Sequence, residues 1–128
     1  MTSTAAALDS RQRAALRARL LGERASALES SAQLGLDVAA VRHSRRDTPT
    51  DDEHDPEGAT LAFEQSQSSA LLQQAARRIS DIDAALERLD ASRYGICASC
   101  GRPIGYARLS ARPYTPHCIS CAERLDHR

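Results

Sequence analysis

A chain of 128 residues suits one domain, and with 3% aromatic residues and no Trp it lacks the bulky side chains that a large globular core requires. The 17 basic side chains are all Arg, and formal net charge is zero; a non-specific DNA binder would more often show a broad basic surface. No apolar run approaches the length of a membrane span, and no apolar signal-peptide core opens the sequence, so a cytoplasmic protein is expected.

The charge is unevenly spread. Residues 1–46 hold eight Arg and four acids, residues 47–64 hold seven acids and no Arg, and residues 65–128 hold nine Arg and six acids. An acidic centre therefore lies between two mildly basic flanks.

Residues 1–7 are small and polar, and fraying is expected there. A helical pattern starts near Leu8 or Asp9. Ala18, Ala25, Ala32 and Ala39 recur every seven residues, and Ala14, Leu21, Leu28 and Gly35 form a second series offset by four. Together they predict a thin a/d-type stripe whose small residues let a partner helix approach. Gly22 and Gly35 weaken the helix locally, and the pattern fades after Val41.

Residues 43–59 carry Asp47, Asp51, Asp52, Glu53, Asp55 and Glu57, with Pro49, Pro56 and Gly58 expected to interrupt any helix. This reads as a turn between two helices. A second helix is expected from Ala59 or Thr60 to about Asp90. Leu61, Gln65, Ser68, Leu72, Ala75, Ile79, Ile82, Leu86 and Leu89 follow alternating steps of four and three, the clearest periodicity in the chain. The two patterns predict an antiparallel coiled-coil hairpin with an acidic tip near 47–59. Such a rod can carry Asp51, Asp52, Asp55 and Glu57 into a pore and offer carboxylates to basic groups or bound cations; a merely solvated charge run is the plainer reading.

All four cysteines follow, as Cys97-x-x-Cys100 and Cys118-x-x-Cys121 with seventeen residues between the pairs. Two residues between cysteines let a tight turn aim both sulfurs at one ion, and the long segment returns the second pair to complete a tetrahedron. The alternatives are a disulfide framework, for which four cysteines allow three pairings, or unrelated buried thiols. A four-cysteine zinc site leaves no open position for water, so the expected zinc, one per chain, is structural. His117 is not needed as a ligand; it stays at the surface or supports the site. Beyond the second pair, Ile119 to Arg128 is expected to form a short terminal helix.

Tyr94, Gly95, Cys97, Cys100, Gly101, Ile104, Arg108, Leu109, Ala111, Pro113, Cys118 and Cys121 together resemble the zinc-finger signature of the DksA/TraR family. The resemblance implies a factor that binds bacterial RNA polymerase, inserts its coiled-coil tip into the secondary channel and alters the lifetime of promoter complexes, with no operator sequence required. The family's tip signature, Asp-x-x-Asp-x-Ala, falls on His54, Glu57 and Ala59. One acid is kept and one is not, with Asp55 and the Asp51–Asp52–Glu53 run close enough to substitute. The resemblance also implies ppGpp contacts. Arg112 remains basic at its position, while the other positions carry Gln74, Asp81 and Ala122. An acid facing a polyphosphate is unfavourable, which implies weaker ppGpp cooperation.

The expectation is an all-α chain: residues 1–92 as N-terminal segment and hairpin, residues 93–128 as zinc finger and C-terminal helix. It is expected to act as a monomeric, non-enzymatic transcription regulator. One rival is a nucleic-acid-binding zinc ribbon with Arg102, Arg108, Arg112 and Arg124 on phosphates. The other is a metal-dependent enzyme built on the tip carboxylates and His54, ranked low because the loop shows no dedicated nucleophile and no framework to fix a pocket.

Overall fold

The structure is a computed structural model that describes residues 6–47 and 56–127, with side chains described at 6–37 and 58–127. Among the described residues four helices follow in order: α1 (Ser10–Asp47), α2 (Pro56–Asp90), α3 (Tyr106–Ala111) and α4 (Ile119–Asp126). Arg17 pairs with Asp90 at 2.9 Å and Arg24 with Asp83 at 2.6 Å. Numbers rise along α1 as they fall along α2, so the long helices form an antiparallel coiled-coil hairpin. The fold is all-α, with a four-cysteine finger and a short C-terminal helix after the hairpin.

Each boundary has a local cause. At the start of α1, Asp9 Oδ1 accepts from the Gln12 amide at 2.7 Å, while the Asp9 amide donates to Gln12 Oε1 at 3.0 Å. This reciprocal pair satisfies two helix-start donors. α1 then runs past the expected fade at Val41 to Asp47, and α2 begins at Pro56, before the expected Ala59. Proline suits the first turn because its missing N–H would have no partner there and its fixed φ is helical. Pro56 and Gly58 thus start α2 and do not interrupt it. Pro49, Asp51, Asp52, Glu53, His54 and Asp55 lie outside the described residues.

The end of α2 turns the chain into the finger. Ser92 sits at φ 58°, its amide donates to the Leu89 carbonyl at 3.3 Å, and the Arg93 amide donates to the Arg88 carbonyl at 2.8 Å. This is a Schellman cap, made with Ser in the left-handed position that usually takes Gly. The chain leaves the helix there, and the Tyr94 amide also reaches the Arg88 carbonyl at 3.1 Å.

The chain divides into two compact units, Met1–Arg24 with Ser80–Arg128, and Ala25–Ile79. The first holds the main core: Leu16 and Leu20 of α1, Ile82, Ala85 and Leu89 of α2, then Tyr94, Cys97, Ile104, Leu109 and Cys121 of the finger. Leu8, Leu86 and Tyr114 pack against it. In the second unit α1 buries Ala27, and α2 half-buries Leu61, Gln65, Ser68, Leu72, Ala75 and Ile79.

The expected seam of α2 is therefore the buried face, with Ala85 fully buried and Leu86 only partly. The expected stripe of α1 is corrected. Ala14, Ala18, Ala25 and Ala32 are exposed, and Leu21 and Leu28 are 51% and 44% exposed. The side that faces α2 carries Leu16, Leu20, Glu23, Ala27, Ser31 and Leu34, all buried or half-buried. Ala and Leu occur on several sides of α1, so two heptad phases compete in the sequence. The phase that wins presents two adjacent leucines to Ile82 and Ala85, where burial of each stabilises by about 1.5–3 kcal/mol. The competing stripe has only Leu21 and Leu28 among alanines and Gly35.

Candidate metal centre and hairpin tip

A short antiparallel bridge between Ile96 and Pro103 builds the first knuckle. The Cys97 amide donates to the Arg102 carbonyl at 2.8 Å and the Gly101 amide to the Cys97 carbonyl at 2.9 Å. Gly101, at φ 73°, allows the turn that swings Cys100 back over Cys97. Gly95 meets a second requirement: at φ 85° it lies against Leu8, whose Cδ1 would be only 2.9 Å from an added Cβ.

The second knuckle opens α4. Cys118 is its N-cap and accepts from the Ala122 amide at 2.9 Å. The two knuckles are tied together by the Ala98 amide, which donates to the Pro116 carbonyl at 2.8 Å.

These turns bring the Cys97, Cys100, Cys118 and Cys121 sulfurs within 4.8 Å of one another. Cys100 and Cys118 Sγ are 3.8 Å apart. Four sulfurs each about 2.3 Å from a central zinc would be separated by roughly 3.8 Å along the edges of a tetrahedron, so the donor set fits zinc. None of the four is in a disulfide. Cys97 and Cys121 are buried in the core, while Cys100 is exposed.

The thiols are electrostatically unequal. Burial pushes Cys97 up, but the Cys118, Cys100 and Ser99 backbone amides and the His117 side chain more than reverse this, bringing it down to about 5. Burial and hydrogen bonding with the Cys118 and Cys97 thiols push Cys121 up to about 11, against the pull of Arg124. Crowded thiols resist ionising together. A bound divalent cation makes four thiolates compatible, which is the chemistry zinc supplies here.

Supporting contacts lie around the sulfurs. His117 Nδ1 is 3.2 Å from Ser99 Oγ, so this imidazole braces the first knuckle. Arg124 donates to Cys121 Sγ at 3.1 Å. Arg108 of α3 donates through Nε to the His117 carbonyl at 2.9 Å and through a terminal nitrogen to Thr115 Oγ1 at 3.3 Å. Tyr94 Oη donates to the buried Pro113 carbonyl at 2.7 Å, and burial pushes its phenol up to about 12.

α3 and the Thr115 contact had no local signal in the sequence. The sequence marks Tyr94 and Arg108 as signature residues but does not show the contacts they make. Of the four arginines of the nucleic-acid reading, Arg108 and Arg124 are thus engaged within the finger, while Arg102 and Arg112 are exposed.

The other expected site residues lie on the hairpin. Asp51, Asp52 and Asp55 are outside the described residues, Glu57 lies in the first turn of α2 with its side chain outside them, and Ala59 is exposed. Of the implied ppGpp positions, Gln74, Asp81 and Arg112 are exposed and Ala122 is half-buried. Among the described residues no helix is long and apolar enough to cross a membrane.

Residues 92–127 match the prokaryotic dksA/traR C4-type zinc finger. A 50-residue segment, 39% of this chain, is 46% identical to the RNA polymerase-binding transcription factor DksA of Caulobacter vibrioides. A 46-residue segment, 36% of the chain, is 46% identical to an uncharacterized protein of Aquifex aeolicus. These matches span about a third of each relative, 35% and 32%. The structure of transcription factor DksA2 from Pseudomonas aeruginosa superposes with a TM-score of 0.77 at 27% identity, covering 94% of this chain and 87% of that one. The finger agrees in sequence, and nearly the whole chain agrees in fold with the DksA2 structure: residues 92–127 are a zinc finger of the dksA/traR C4 type, whose four cysteines hold a structural zinc ion.

Proposed function

We propose that this chain is a transcription regulator that binds RNA polymerase directly, entering the secondary channel with the tip of its hairpin and changing the lifetime of promoter complexes. The observation that carries the reading is the fold match over 94% of the chain to a DksA2 structure, hairpin included. A finger alone would suit many partners; a finger set on a long two-helix hairpin suits a probe. In this reading the zinc of Cys97, Cys100, Cys118 and Cys121 fixes the finger and α4 on the hairpin base. The acids Asp51, Asp52, Asp55 and Glu57, with Ala59, act at the tip.

The protein has no enzymatic role in this reading and needs no operator sequence. It works in the cytoplasm as a monomer. ppGpp cooperation through Arg112 is weak, because Gln74, Asp81 and Ala122 supply no positive charge at the other implied positions.

The test is direct binding. Zinc-loaded full-length protein should bind core RNA polymerase of the source organism with micromolar or tighter affinity, and should compete with a labelled DksA for it. Absence of binding to core polymerase, together with steeply salt-dependent binding to bare DNA, would replace this reading with the zinc-ribbon one.

A further inference from the structure

The exposed side of α2 next to the tip carries an observation that the acidic residues do not explain. Phe63, the chain's one phenylalanine, is 69% exposed while a core poor in aromatics lies elsewhere in the chain. It stands four residues after Ala59, which is also exposed, so the two share one helix face a turn apart. From Ala59 to Ala76 the only charged side chain is Glu64, in a chain that is 27% charged overall. Solvent-exposed helix faces are ordinarily charged. A nearly uncharged run around one exposed aromatic is the composition of an interface centre, where charge is depleted and aromatics are enriched.

We infer that Phe63 is an apolar contact residue for the polymerase, seating α2 against the channel wall one turn behind the tip. The inference rests on the proposed function and names a residue that the tip signature does not include. Continuity with Ala59 places it on the face that would travel with the tip. The available area separates this occupant from a second copy of the chain. One aromatic side chain buries roughly 150–250 Å², and its neighbours on the face, Ala59, Gln67 and Ala70, are small or polar. A stable dimer needs about 800 Å² from each partner. A patch this small cannot hold a dimer alone, but it can serve as one anchor within a larger interface, as aromatic hot spots do. The near absence of charge also means that the contact is not made by Coulomb attraction. It should therefore persist at salt concentrations that weaken the acidic tip's contacts.

The experiment compares wild-type, Phe63→Ala and Phe63→Leu proteins, full length and zinc-loaded, for affinity to core polymerase by competition. Melting temperature and solution mass are measured alongside. Phe63→Ala should weaken binding at least fivefold with an unchanged melting temperature, and Phe63→Leu should stay within about threefold of wild type. Wild-type binding with Phe63→Ala within twofold of it would overturn this inference and leave the proposed function intact. Failure of the wild type to bind would overturn both. A wild-type dimer that Phe63→Ala turns into monomer would assign the residue to self-association instead.

Discussion

Tyr94 shows how a single residue sets the finger on the hairpin. It follows the α2 cap directly, its ring lies in the core, and its hydroxyl donates to the Pro113 carbonyl. Removing that hydroxyl strands a buried acceptor, so Tyr94→Phe should lose about 1–3 kcal/mol in denaturant unfolding at pH 7. The sign of its pH dependence follows from the raised phenol. The native state holds the proton up to about 12, while the unfolded chain releases it near the ordinary value of 10. The stability contributed by the neutral phenol is complete below pH 10 and is lost as pH rises through 12. The difference between wild type and Tyr94→Phe should therefore narrow over that interval, and a constant difference would mean that the phenol is not protected. At Cys121 the prediction concerns metal. Cys121→Ser removes a sulfur that belongs to both the zinc cluster and the core, so elemental analysis should show zinc falling well below the wild-type value of about one per chain, with α4 loosened.

Helices differ in how readily the sequence gives up their faces. α2 was legible because most of its bulky apolar residues follow one phase: Leu61, Leu72, Ile79, Ile82 and Leu89 lie on the buried side as the periodicity requires, with Phe63 and Leu71 outside it. α1 was legible as a helix but not in its orientation, because Ala residues on several sides give two phases of similar appearance. Side-chain volume, which periodicity alone does not weigh, decides between them. The zinc pairs were legible from spacing. α3 was not, since six residues hold too little pattern, and the Arg108 contacts depend on chain segments brought together only by the finished fold. The corrected face makes a sharp contrast between neighbours. Leu20→Ala should cost about 2–5 kcal/mol in thermal or denaturant unfolding, since Leu20 is fully buried, while Leu21→Ala should cost under about 0.5 kcal/mol. Equal losses at the two positions would restore the Ala-stripe orientation.

At the scale of the molecule, the buried sulfurs and the lower hairpin share one core, so metal, finger and rod base are energetically linked. Asp51, Asp52, Asp55 and Glu57 belong to a different part of the chain and lie apart in sequence from every residue of that core. Changing the four together to Asn, Asn, Asn and Gln keeps their size and removes four charges, and should leave the melting temperature within about a degree of wild type. Promoter-complex decay at one sensitive promoter, measured beside affinity for core polymerase, tests the proposed function most directly. The wild type should change the decay rate severalfold, and the four-residue variant should bind polymerase within about threefold of wild type yet lose most of that effect. A variant that changes decay as fully as the wild type would contradict a working role for the tip, and one that loses affinity in step with its effect would make the tip an anchor.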